Sequence, residues 1–217
     1  MKRVNACFTV AFAATALAAS LLAVPSVAQP VAESPAATPA GTVMTFHRKS
    51  SGSLGTFDGP VVWTITHGTW EGRPAVIQMA RLGGSAFDPK THANMATLDA
   101  EGKATMVFDP PVGFQWPMQV GKTWTSKHTV TTPATGRSVP LEVNWKVEAW
   151  EDVTVPAGTY KAYKVVTTNN FGEVETRWTA PAAGIVLAKR LVTRPASHPQ
   201  GAGELEAVLL SQVPPAK

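Results

Sequence analysis

The chain has 217 residues, 44% hydrophobic and 16% charged, a composition that fits a folded chain of one or two domains and excludes a disordered one. Its 17 glycines and 18 prolines exceed the usual share of roughly 12%, so turns are frequent and long helices have little room. The formal net charge of +4 is too weak for a nucleic-acid footprint, and it drops further once Lys2 and Arg3 are set aside as part of a cleaved segment.

Met1 to Arg3 form a positive start, Ala6 to Val24 an apolar alanine-rich run, and Pro25 precedes the small triplet Ser26-Val27-Ala28. This order predicts a secretory signal over residues 1–28, cut after Ala28. An uncleaved anchor competes with it, because the run nears the roughly 20 residues that span a bilayer. The weakly apolar alanines and the proline before the triplet favour cleavage. Cys7, the only cysteine, lies inside the signal with no lipobox before it. A chain cut there has no disulfide, thiol nucleophile or thiolate metal site. The expected location is the periplasm, with the extracellular space as the alternative, and no transmembrane segment is expected after cleavage.

Residues 29–41 (QPVAESPAATPAG) have too little apolar bulk to offset the entropy of ordering and predict a flexible arm. From residue 42 to 217 the period is two, which predicts one all-β domain. Strands are expected over Val43 to Arg48, Val61 to His67 and Pro74 to Arg81, with His67 to Gly72 as a loop. Met95 to Leu98 and Lys103 to Phe108 follow, flanking Asp99-Ala-Glu-Gly102. A proline-rich crossing over Asp109 to Pro117 leads to a strand over Lys122 to Thr131.

Leu141, Val143, Trp145, Val147 and Ala149 alternate with Glu142, Asn144, Lys146 and Glu148, which gives one dry face and one wet face. Val155-Pro-Ala-Gly158 predicts a three-residue hairpin loop returning through Thr159 to Thr168. In the next strand Val174, Thr176 and Trp178 form one face and Glu173, Glu175 and Arg177 the other. Ile185 to Arg194 and Leu205 to Leu210 complete about ten strands. The fold class is all-β: a single-domain antiparallel curled sheet, barrel or sandwich.

Three stretches, VGKTW at 120–124, VTVPAGTYKAYKVV at 153–166 and the run Trp178 to Val186 (WTAPAAGIV), resemble a family of exported Gram-negative domains of unknown function. That family carries a Val-Pro-Ala-Gly-Thr-Phe/Tyr turn and a Trp-Tyr-Ala-Pro…Gly-Val/Ile segment. The resemblance implies an antiparallel β fold such as the curled sheet of periplasmic lipoprotein carriers. It covers about half of the chain after cleavage, and Thr179 stands where the family has Tyr. It brings no activity with it.

Catalytic signatures are absent from the sequence. His47, His67, His92, His128 and His198 never adopt a metal-binding helical spacing, and no nucleophile elbow, phosphate loop or dinucleotide fingerprint occurs. No catalytic, cofactor or metal residue is assigned. A serine triad is defined by geometry and so is left open. Glu173 and Glu175 approach the spacing of a glycosidase pair, but with Arg177 and Lys161 nearby they read as a solvated face. Lys189-Arg190 and His47-Arg48-Lys49 read as wet strand ends.

Trp63, Trp124, Trp145 and Trp178 fit core positions. Trp70 in a loop, Phe114 and Trp116 in the crossing, and Trp150 on the wet side of its strand are out of pattern, and they are the candidate ligand or partner contacts. The first expectation is a non-catalytic binding or carrier module for an apolar or amphipathic ligand. The alternatives are an envelope structural or protein-interaction module with a filled core and, least favoured, a glycan-active enzyme. A cavity inside the fold distinguishes the first two.

Overall fold

The computed structural model describes residues 30–215. The expected signal and Cys7 lie outside the described residues. Twelve strands form one closed antiparallel barrel: β1 (Val43–Gly52), β2 (Phe57–Trp70), β3 (Arg73–Ala80), β4 (Gly83–Phe87), β5 (Asn94–Leu98), β6 (Ala104–Val112), β7 (Thr123–Thr132), β8 (Arg137–Val155), β9 (Gly158–Asn169), β10 (Val174–Ala180), β11 (Ile185–Arg194) and β12 (Gly203–Val213). Each strand pairs with its predecessor, and β1 pairs with β12 to close the ring. Closure leaves no open sheet edge.

Three sequence expectations change. Strand β4 is an addition, since Gly83-Gly84-Ser85-Ala86 carries little strand signal; a Cβ on Gly84 would lie 2.1 Å from the Gln78 carbonyl oxygen, so close pairing with β3 requires glycine. The expected loop over His67 to Gly72 is mostly strand. β2 runs to Trp70, and only Glu71 and Gly72, both at positive φ, make the turn. The crossing is shorter than expected, since β6 continues through Pro110 and Pro111 to Val112.

One end of the barrel is closed. Loop 88–93 and segment 113–122 cross there so tightly that a Cβ on Gly113 would lie 2.6 Å from Ala93 Cα. The β8–β9 hairpin bends over the same end. Val153 and Val155 join the core cluster of Met44, Ile65, Ile185 and Leu209, and the Ala157 N–H donates to the Leu209 carbonyl at 3.1 Å. Val155 pairs directly with Gly158, so the tip is two residues rather than three.

The arm is seated against this end. Ala32 and Met118 exchange backbone hydrogen bonds at 3.0 and 2.8 Å, the Tyr163 hydroxyl donates to the Pro30 carbonyl at 2.6 Å, and Ala36 and Thr38 are buried. These contacts replace the expected free arm over the described part of residues 29–41. No helix among the described residues is long and apolar enough to cross a membrane.

Candidate functional site

The other end of the barrel opens on a cavity of about 440 Å³ whose two walls differ in chemistry. On β6, β7 and β8 it is apolar apart from Thr132 and Arg137 at the β7–β8 turn: Met106, Phe108, Val130, Leu141, Val143 and Trp145 face it. These are the inward positions of an alternation whose outward positions carry Lys127, Glu142, Asn144 and Lys146. Trp124 stacks on Trp145 at 5.2 Å and stiffens this wall.

A backbone carbonyl can only accept, so the Pro110 oxygen fixes the proton of His128 on Nδ1 at 2.7 Å. Nε2 then accepts from the Ser126 hydroxyl at 2.7 Å, and Ser126 Oγ accepts the Trp145 indole N–H at 2.9 Å. A serine bonded to histidine is one link of a nucleophilic triad. Here the serine oxygen is engaged on both sides and neither residue lines the cavity, so the chain of bonds orients Trp145.

The charged wall, on β10 and β11 and the residue just before β10, carries Glu173, Glu175, Arg177, Arg190 and Arg194. Glu175 is buried at 8% exposure and accepts from Arg177 Nε and Nη2 and from Arg190 Nε. Burial alone would raise its pKa, but Arg177 and Arg190 outweigh that and hold the carboxyl at about 2. Arg177 is held above its ordinary value, because Glu175 more than offsets the burial that opposes its charge. Glu173 pairs with Arg194, whose Nη1 donates to Gln200 Oε1 at 2.6 Å.

These positions correct two expectations. Glu175 and Arg177 point inward instead of forming a solvated face, and Trp178 is the outward residue. Trp178 is still buried: the ammonium nitrogens of Lys164 and Lys189 lie over its ring, 5.9 and 5.8 Å from the centroid, and its indole N–H donates to Glu151 at 2.7 Å. The two basic clusters are split by alternation. His47 and Lys49 pair with Asp58 outside, whereas Arg48 and Arg190 face the interior. The signal that finds them is parity: Arg48 shares its face with Phe46 and Ser50, and Arg190 shares its face with Ala188 and Val192.

Phe114, Trp116 and Trp150 all pack against the cluster around Trp145. Phe114 meets Trp145 edge-on at 5.7 Å, and the Arg177 guanidinium lies 5.9 Å from its ring, so it touches a residue of each wall of the cavity. Trp116 donates its indole N–H to the Thr91 carbonyl at 2.9 Å. Trp150 is not on the wet side of β8. A bulge between Val147 and Ala149 shifts the alternation by one and turns the ring inward onto Tyr163, 4.5 Å away. Trp70 lies apart, against Ala75, Ala86 and Met95. His92, whose imidazole burial and then Arg177 push down to about 4, stacks on Phe87 at 4.4 Å.

No protein-family model matches the chain and no curated protein matches it, so the family resemblance rests on the motif residues alone. Among solved structures, a Bacteroides fragilis protein with a YmcC-like fold is similar at 14% identity and a TM-score of 0.44, over 81% of this chain and 97% of that one. The hypothetical lipoprotein YmcC from Escherichia coli is similar at 12% identity and a TM-score of 0.43, over 79% of this chain and 85% of that one. Both likenesses are loose.

Proposed function

We propose that the protein is exported to the periplasm and there binds one apolar or amphipathic molecule inside its barrel, without converting it. The carrying observation is the cavity, open at one end and lined by an apolar wall opposite a charged one. Its volume of about 440 Å³ falls in the roughly 300–1,000 Å³ range of small-molecule sites. The cavity favours this reading over an interaction module with a filled core. The outer surface carries the pairs Lys127–Glu142, Lys161–Asp152, Lys164–Glu148 and Lys189–Glu206, which suits a barrel surrounded by water rather than by lipid.

The test uses protein recovered from the periplasmic fraction and titrated with the neutral fluorescent amphiphile N-phenyl-1-naphthylamine. Saturable binding of about one probe per chain is expected. Val143→Trp, or Val139→Trp nearer the mouth, should abolish it with the strand signal in circular dichroism retained. Absence of saturable binding, or binding unchanged in both folded plugged variants, overturns the proposal.

A further inference from the structure

Inward-facing positions on β1, β10 and β11, with Glu173 just before β10, place four arginines against two glutamates: Arg48, Arg177, Arg190 and Arg194 opposite Glu173 and Glu175. The excess positive charge is concentrated in one row. Arg48 and Arg190 both lie directly opposite Ala207, one from each side, so two guanidinium groups flank a side chain too small to separate them. Arg177, in turn, is opposite Arg190.

The carboxylates do not neutralise this row. Glu175 engages Arg177 through two nitrogens but Arg190 only through Nε, and no protein acceptor among the described residues bonds Arg190's two terminal nitrogens. Arg48 has no acidic partner among them. Its Nη2 donates to the Leu54 carbonyl at 2.8 Å, and its Nε is buried without an acceptor. Arg190 lines the cavity and offers its terminal nitrogens there, while the buried Nε of Arg48, behind that lining, keeps its desolvation cost without an acceptor, so an anion at Arg190 would meet the field of both guanidinium groups.

We infer that the molecule bound in the barrel carries an anionic head group, a carboxylate or a phosphate monoester, received by Arg190 with Arg48 behind it, while its apolar chain lies on the β6–β8 wall. This rests on the binding reading above and adds the charge of the ligand to it. Charge-assisted bonds to a planar fork suit both head groups.

Displacement of N-phenyl-1-naphthylamine by ligands of one chain length separates this inference from the reading beneath it. Dodecanoate or dodecyl phosphate should displace the probe at a concentration at least about tenfold lower than dodecanol, and the stronger of the two identifies the head group. Arg190→Gln should erase the preference and leave dodecanol unchanged. Should Arg190→Gln unfold through the loss of Glu175's partner, Arg190→Gln combined with Glu175→Gln, and Arg48→Gln alone, carry the same expectation. Equal displacement by dodecanoate, dodecyl phosphate and dodecanol overturns the anionic head group and leaves the binding reading intact. Failure of the probe itself to bind overturns both.

Discussion

The β6–β8 wall is held by packing and the β10–β11 wall by charge, although the two line one cavity. Packing scales with buried area and is indifferent to pH. The charged wall depends on an arrangement in which every buried carboxylate has its guanidinium, and removing either partner exposes the desolvation cost of the other. The first wall can therefore be trimmed by degrees, whereas the second loses its balance at a single position.

The largest expected effect tests the packed wall. Trp145→Ala removes the ring that joins Trp124, Phe114 and the Ser126 hydrogen bond, and should lower stability by about 3 to 5 kcal/mol in urea unfolding. The size of that loss should be nearly the same at pH 7 and pH 4. A strongly pH-dependent loss would erase the distinction between the walls.

A somewhat smaller effect is expected at the charged wall. Glu175 is held at about 2 in the folded protein against an ordinary 4.5. A depressed carboxylate contributes stability above its unfolded value and loses it as pH falls through the folded one. Glu175→Gln should cost on the order of 3 kcal/mol at pH 7, and the gap to the parent protein should narrow from about pH 4.5 downward. Urea midpoints of both proteins from pH 7 to 2 measure it, and a constant gap would show that the ion cluster is not its source.

The smallest effect lies outside both walls, at the hairpin tip that covers the closed end. Gly158 has φ of 140°, a conformation that resists a β-branched side chain. Gly158→Val should therefore lose about 1 kcal/mol more than Ala157→Val. Equal urea midpoints would refute the turn geometry.

The packed wall was legible in the sequence because the alternation from Leu141 to Val147 anchors its apolar set inside. The charged wall was not. On β10 the period of two is just as clear, but the largest apolar residue, Trp178, lies outside beneath two lysine ammonium groups, and parity anchored on it turns Glu175 and Arg177 the wrong way. Trp150 was misplaced for a different reason: a bulge inserts one residue, and no turn former in Val147-Glu148-Ala149 marks it. Phe114 falls outside any strand alternation, so its sequence position does not reveal that it meets the cavity residues from within a core cluster.

Because the ring closes between β1 and β12, the first strand and the last, every other pairing in the barrel is a neighbour zipped to its predecessor. A growing or refolding chain can thus assemble an open ladder by local steps, and it becomes a container only when the most distant pairing forms, the slowest kind of contact to reach. That seam runs through Arg48 and Ala207, with Arg190 on the strand beyond. The two arginines are therefore brought within reach of one another by the closing step itself. An anion held at Arg190, in the field of Arg48 across the seam, would act as a clasp on it, and its binding energy would appear as resistance of the whole barrel to opening.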